Sequence, residues 1–318
     1  VTAVGKSLLL IGGSGFFGKS FLDARRRGVA GTEVDRVTIL SRSATRLESA
    51  HPELLDQSVT LLDGDITKLK VLPEADLTID AAASTNVVDY QDDPEAQCAL
   101  IAAAAENLCA LVRSARTPTK LLYISSGAAY GSTLGRSKPI RESDPMSPFG
   151  PDDGYKAAYG RGKQIAEEHL RNLATEGFDV SIARAFSFVG RYLPINQHYA
   201  ISEFVRSAQF GKPVRIKSIR PVVRSYLHAD DLARALITYV LAADSSGLAV
   251  NLGSADSVTL REVADMVAKR FNVAVEASEL SDSPADWYVP DMSLAHEHLG
   301  FSPRINLSEA IEDLVELG

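Results

Sequence analysis

Apolar residues fall in short continuous runs that recur along the first 185 positions, each followed by a turn rich in glycine, serine or acidic residues. Ser7-Leu8-Leu9-Leu10-Ile11 shows little polar alternation, the pattern of a strand buried on both faces. The pattern returns in Val37-Thr38-Ile39-Leu40, Val59-Thr60-Leu61-Leu62, Leu77 to Asp80, Leu121-Leu122-Tyr123-Ile124 and Val180-Ser181-Ile182-Ala183. Helical patterning runs from the glycines after Ile11 to Arg27, from Glu95 to Ala115, and from Tyr155 to Glu176. Arg25-Arg26-Arg27 before Gly28 suits a helix C-terminus, which favours cations and ends on glycine. Strands alternating with helices predict an α/β chain built on a doubly wound parallel sheet. Arg136 to Gly154, with four prolines, reads as a loop long enough to form a lid or a substrate-side wall.

Composition narrows the class. At 318 residues the chain exceeds one typical core, so one large or two closely joined domains are expected. Its 45% hydrophobic and 23% charged content is that of a soluble globular protein. A net charge of −8 argues against a nucleic-acid partner, which calls for a basic footprint. No apolar run reaches the roughly 18 residues of a membrane span, and Val1 to Ser7 carries no signal-peptide cleavage pattern. The expectation is a cytoplasmic protein with no membrane partner. Cys98 and Cys109 fall in one predicted helix, about 16 Å apart at the helical rise, too far for a disulfide. Packing roles in a reducing compartment follow.

Candidate chemistry clusters where the runs end. Gly12-Gly13-Ser14-Gly15-Phe16-Phe17-Gly18 lies between the first strand and the first helix, with Gly12, Gly15 and Gly18 spaced by threes. Glycines there permit a tight turn and close backbone approach, and the helix N-terminus holds a dinucleotide pyrophosphate. An acidic residue at the end of the second strand grips the ribose of NAD. This chain has Ser41 there and Arg42 next, which favours NADP(H), with NAD(H) the other possibility. Asp65 and Ile66, after the third strand, are candidate adenine contacts, although Asp65 equally suits a cap on the next turn. Ala82 and Ala83 let a cofactor lie close to small side chains, and Ser84 follows on the substrate side. Ser125-Ser126-Gly127-Ala128-Ala129-Tyr130-Gly131 ends the fifth strand, where such sheets bind ligands. Tyr159 and Lys163, four apart on a helix, share a face. An ammonium there favours phenolate and would draw the phenol pKa toward neutrality, fitting it for carbinol–carbonyl proton transfer. His296-Glu297-His298 places its histidines at i and i+2, on different helix faces, so no metal site is expected.

Gly12/Gly15/Gly18, Ser125-Ser126-x-x-x-Tyr130-Gly131 and Tyr159-x-x-x-Lys163 together resemble the extended short-chain dehydrogenase/reductase family. More narrowly, they are similar to its nucleotide-sugar epimerases, dehydratases and 4-keto reductases. Ala183 to Gly190, Arg224 to Asp231, Val250 to Ser254 and Leu299-Gly300-Phe301 extend the likeness along the chain. The resemblance implies a Rossmann-type domain over residues 1–185 with a return segment near 225–254. A smaller substrate domain would comprise 186–224 and 255–318. It implies Tyr159 as general acid/base, Lys163 as its partner on the nicotinamide ribose, and Ser126 as the hydrogen bond to the reacting sugar oxygen. Arg224 matches the arginine that clamps the nucleotide diphosphate, with Ser187 near it; His198, after Pro194, suits either the start of a helix over the sugar or a half-buried packing position. A homodimer through the helices 95–115 and 155–176 is implied as well.

Departures shape the functional expectation. The family's 4,6-dehydratases carry an Asp-Glu pair after the position of Ser126, where Gly127 and Ala128 stand here. Ser187 replaces the usual asparagine near the diphosphate. The arginine expected before the last substrate segment has no counterpart near Ser283 and Pro284. The resulting expectation is hydride transfer at C4 of a nucleotide-activated hexose, by a 4-keto reductase or a C4 epimerase. A 4,6-dehydratase and a non-catalytic NAD(P)-sensing protein are the alternatives, and an oxidoreductase for an apolar alcohol is a third. Trp287 and Tyr288 read as packing or a cleft wall.

Overall fold

Leu8 and Leu10 pack on one side of their strand and Leu9 and Ile11 on the other, into two separate apolar clusters. That is why the run is continuously apolar: a strand clad on both faces has no solvent side. The computed structural model describes residues 5–83, 93–150, 153–194 and 199–316. Its first half runs β1 (Lys6–Ile11), α1 (Phe16–Arg26), β2 (Val34–Ser41), α2 (Leu47–Ala50), β3 (Val59–Asp63) and β4 (Leu77–Asp80). Helix α3 (Pro94–Arg113), β5 (Lys120–Ser126), α4 (Tyr155–Thr175) and β6 (Val180–Ala185) follow. Next come β7 (Phe188–Val189), α5 (Ala200–Gln209), β8 (Val214–Ile216), β9 (Val222–Arg224), β10 (Leu227–His228) and α6 (Ala229–Leu241). The chain closes with β11 (Ala249–Leu252), β12 (Val258–Thr259), α7 (Leu260–Phe271), β13 (Val275–Ala277), β14 (Asp286–Tyr288), α8 (Ser293–Leu299) and α9 (Leu307–Glu316).

Seven parallel strands form the main sheet in the order β11-β6-β5-β4-β1-β2-β3. The winding reverses between β1 and β4, so the C-terminal ends of these two strands flank the crevice where such sheets take ligands. This is the doubly wound sheet that the apolar runs predict. Helices α1 and α6 cover one face through Phe21, Leu22, Leu232, Leu236 and Tyr239. Helices α3 and α4 cover the other through Ile101, Ala105, Leu108, Ala166, Leu170 and Leu173. Helix α3 is long and apolar enough to cross a membrane by length and composition, but half of that stretch is buried in the protein, as in a core helix. Cys98 and Cys109 lie buried and unbridged in α3. A third cluster, with Phe204, Val205, Val263, Val267 and Ile311 at its centre, lies among α5, α7 and α9.

Two glycines set how closely α4 approaches its neighbours. A Cβ at Gly160 would come within 2.6 Å of the Ala128 carbonyl, and one at Gly162 within 3.1 Å of Ile101 and 3.2 Å of Cys98 on α3. The Tyr-Gly-Arg-Gly-Lys spacing therefore reflects packing as well as chemistry. Gly162→Val should push α3 from α4 and cost about 1–3 kcal/mol, the usual penalty for overpacking. A lowered denaturant midpoint is the expected result, and an unchanged one would show that this approach is not tight.

Candidate active site

The glycine turn folds as its spacing requires. Gly12 has φ +76°, and a Cβ there would lie 2.7 Å from the Ala82 amide nitrogen, so turn and β4 end meet backbone to backbone. Gly18 abuts the Gly13 carbonyl, where a Cβ would stand 2.0 Å away. Gly15 caps α1 with no side-chain hydrogen bond, leaving the helix's first amides available to a pyrophosphate. Phe16 and Phe17 turn their rings toward Phe188, with centroids 6.1 and 5.0 Å from it. Ser41 ends β2 with a buried hydroxyl that has no partner among the described residues. An unpaired buried hydroxyl beside an uncapped helix fits a bound ribose and pyrophosphate.

Other cofactor candidates resolve differently. Asp65 accepts from the Thr67 amide at 3.0 Å and its hydroxyl at 2.8 Å, so its carboxylate caps the next turn. Ile66 is 7% exposed and packs in the α3–α4 core, its carbonyl held by Asn107 at 2.6 Å. Arg42 is exposed, and its charge helps to hold Asp65 below the usual carboxylate range, after the Thr67 hydrogen bonds. Ala82 and Ala83 are half-buried at the β4 end. Ser84 and His198 lie outside the described residues.

Ser126 closes β5, and its hydroxyl accepts from the Ala128 amide at 3.1 Å. It thereby caps the short 3-10 turn 127–130. Gln164 on α4 donates to the Ala129 carbonyl at 2.7 Å, tying this turn to the helix of Tyr159 and Lys163. Tyr130 is fully buried and donates to Asn251 on β11 at 2.8 Å. Asn251 in turn donates to the Ile140 and Asp291 carbonyls at 2.8 and 3.1 Å. The Tyr130-Gly131 and Val250-Asn251 segments are thus two halves of one buried hydrogen-bond junction.

Lys163 is 2% exposed and donates to the Ile124 carbonyl at 2.7 Å and the Tyr123 hydroxyl at 3.2 Å. Its nitrogen lies 5.9 Å from the centre of the half-buried Tyr159 ring. Burial lowers the Lys163 pKa to about 8, while Asp80 and then Glu167 pull it back up. Asp80 ends β4 directly opposite Tyr123 on β5. Burial pushes its carboxyl up to about 6, against the Ala82 amide and the Lys163 charge. The charged groups facing Lys163 are therefore Asp80 from the sheet and Glu167 from its own helix, with the phenols of Tyr123 and Tyr159 alongside.

Glu167 is wholly buried and accepts from Ser125 at 2.6 Å and from Arg184 on β6 at 3.0 and 2.8 Å. Arg171, one turn on, also binds it. Tyr288 fills the space beside Gly127: a Cβ at 127 would lie 2.6 Å from its hydroxyl. Its ring stacks on Phe186 at 4.6 Å. Burial pushes the phenol up to about 12, against the hydroxyl of Ser126 and the charge of Arg224. The reading of Tyr288 as a cleft wall understates it, because its hydroxyl stands beside Ser126. Arg224 donates to the Val223 and Asp286 carbonyls at 2.9 and 2.8 Å and to the Asp286 carboxylate at 2.6 Å. Three of its five donors are spent, and the strands β9 and β14 fix the fork between them. Ser187 is half-buried between β6 and β7, its carbonyl accepting from Leu227 at 3.0 Å.

Sequence reasoning missed Asp80, Tyr123, Glu167 and Asp286. A signal existed for Glu167, which continues the four-residue spacing of Tyr159 and Lys163, and for Asp80, an acid closing a buried strand.

UDP-glucuronic acid decarboxylase 3 of Arabidopsis thaliana is 24% identical over 309 residues, covering 96% of this chain and 86% of that protein. dTDP-glucose 4,6-dehydratase of Streptomyces niveus is 27% identical over 320 residues, 97% of this chain and 91% of that one. A solved variant of UDP-glucuronic acid 4-epimerase from Bacillus cereus, bound to a fluorinated UDP-glucuronic acid and NAD, has the same fold. Its TM-score is 0.79 at 18% identity, with 98% of each chain covered. A sequence model of the NAD dependent epimerase/dehydratase family matches residues 8–253. That match spans more than half of the sequence, and the chain belongs to the NAD dependent epimerase/dehydratase family.

Proposed function

We propose that this protein carries out nicotinamide-dependent hydride transfer at C4 of a nucleotide-activated hexose, as a 4-keto reductase or a C4 epimerase. The observation that supports the reading is that Ser126 ends β5, while Lys163, 5.9 Å from the Tyr159 ring on α4, donates to the Ile124 carbonyl of the same strand. The cofactor, when bound, supplies the hydride acceptor and donor. The amides at the start of α1 would hold its pyrophosphate, and Ser41 a ribose hydroxyl. Ser126 orients the C4 oxygen, and Tyr159 takes or returns its proton. Lys163 supports the phenolate with its charge. The two remaining donors of Arg224 would be left for the diphosphate. NADP(H) is the favoured cofactor, because Ser41 stands where a ribose-gripping acid would exclude a 2′-phosphate.

Dehydration is disfavoured by packing as well as by composition. The Tyr288 hydroxyl occupies the space that an acidic side chain at 127 would need, and it stays protonated at neutral pH given its raised pKa of about 12. A second reading follows from the likeness to UDP-glucuronic acid decarboxylase 3 over 96% of the chain. A hexuronic acid oxidised at C4 becomes a β-keto acid: its C5–C6 bond breaks, carbon dioxide leaves, and the enolate left behind takes a proton at C5 from Tyr159 or water. The same site would decarboxylate if its sugar carried a carboxylate.

Tyr159→Phe tests the proposal. Turnover should fall by roughly 10²–10⁴-fold with dinucleotide binding retained in calorimetry; full turnover would remove Tyr159 from the chemistry. The pH profile tests its partner. Above a pH of about 8 Lys163 loses its charge and the phenolate loses support, so activity should decline on the alkaline side. Asp80→Asn removes the larger of the two attractions that raise the Lys163 pKa, and should shift this limb to lower pH. A limb that stays in place would show that Asp80 does not act through Lys163.

A further inference from the structure

Ser20 on α1 and Tyr192, which follows β7, are 2% and 7% exposed, and neither hydroxyl has a partner among the described residues. Both line one cavity of about 220 Å³, walled by Asp23, Arg26 and Arg27 of α1, His228 and Asp230 where α6 begins, and Asp313 of α9. Burial raises the Tyr192 pKa, with Asp23, Arg191 and Arg26 acting on it as well, so its oxygen lies among the cavity's side chains. None of the lining residues belongs to the glycine turn, to the end of β5 or to α4. A buried hydroxyl left unpaired is unfavourable. Two that face one cavity point to an occupant that bonds both.

Charge says what kind of occupant. Asp23 binds Arg26 at 3.0 Å and Arg27 at 2.9 Å, and Arg27 also binds Asp230. The His228 Nδ1 accepts from the Asp230 amide at 3.2 Å, so its Nε2 donates to Asp313, also at 3.2 Å. With Arg191, the lining carries three guanidiniums against three carboxylates, and this balance selects neither an anion nor a cation. What it offers is the two hydroxyls, which donate and accept, the unspent nitrogens of Arg26 and the remaining lone pairs of Asp313. A polyol answers donors and acceptors alike without bringing a charge. The volume is below the roughly 300 Å³ at which sites for drug-sized molecules begin, and suits one sugar ring.

We propose that this cavity binds a neutral polyol of the size of a single sugar ring, held by the hydroxyls of Ser20 and Tyr192 with Arg26 and Asp313 as further partners. A molecule so held bridges α1 and α9. The site is separate from the candidate active site and does not depend on the hydride-transfer reading.

Saturation-transfer NMR titration of the full chain tests it, with glucose, xylose and myo-inositol as neutral probes, glucuronate as an anion and glucosamine as a cation. At least one neutral probe should bind, more tightly than both charged analogues, and raise the melting temperature by mass action. Ser20→Ala and Tyr192→Phe should each weaken that probe about two- to tenfold, the worth of one hydrogen bond between neutral groups. Without the probe both variants should melt no lower than wild type, because the hydroxyl removed has no protein partner. Binding should survive Ser126→Ala, which alters the candidate active site. Absence of binding by every neutral probe, tighter binding of a charged analogue, or unchanged affinity in both hydroxyl variants would overturn the proposal. So would loss of binding in Ser126→Ala alone, or a lowered melting temperature in both hydroxyl variants without the probe. None of these outcomes touches the hydride-transfer reading.

Discussion

The candidate site depends on the buried carboxylate of Glu167. It joins three elements at once: α4, which carries it, β5 through the Ser125 hydroxyl, and β6 through the Arg184 guanidinium. Tyr159, Lys163 and Glu167 are spaced by four, so the face that presents the chemistry is also the face pinned to the sheet. A buried ion pair is a weak source of net stability, but removing one partner typically costs about 3–5 kcal/mol, because a charge is left unpaired. Its use here is register. With Ser125 held by Glu167, the neighbouring Ser126 is fixed relative to a residue two turns along from Tyr159.

The chemistry then follows from a contest between burial and charge. Lys163 is deep enough for burial to bring its pKa to about 8, and only Asp80 and Glu167 keep it from falling further. Asp80 is itself raised to about 6 by the same burial, so near neutral pH the pair stays ionised with little in reserve. Tyr288 shows a different outcome. The Arg224 guanidinium lies 5.7 Å from its ring, but burial outweighs that charge and holds the phenol up at about 12, so it stays a neutral hydroxyl beside Ser126. Tyr288 spends its hydroxyl on the Ala185 carbonyl at 3.3 Å, whereas Tyr159 is half-buried with the Lys163 ammonium 5.9 Å from its ring.

Much of this was legible in the sequence because the relevant signals are local. Continuous apolar runs predict β1 to β6, and their ends carry the glycine turn, Ser126 and Tyr159. The functions of Tyr130 and Asn251 were not legible, since they are 121 residues apart in sequence and meet only when β11 joins the sheet. Arg224 was placed by its motif, but its ion pair with Asp286 arises from the pairing of β9 with β14, which no local pattern encodes. Tyr288 was read as a wall because nothing near it in sequence points to Gly127. Asp65 illustrates the opposite difficulty: both roles were consistent with its position, and the bond to Thr67 favours the cap. Long-range contacts, rather than composition, account for most of what the sequence leaves open.

Hydride that leaves or reaches C4 of a nucleotide-activated hexose in this site, as proposed, would carry an isotopic label with it. The most direct measurement is to incubate the protein with oxidised dinucleotide and UDP-glucose carrying deuterium at C4, and to analyse the nicotinamide by mass spectrometry. Deuterium on the nicotinamide ring, absent when Tyr159→Phe is used, is the predicted result. Binding of both ligands without any label on the ring, across UDP- and dTDP-linked hexoses, would contradict the account.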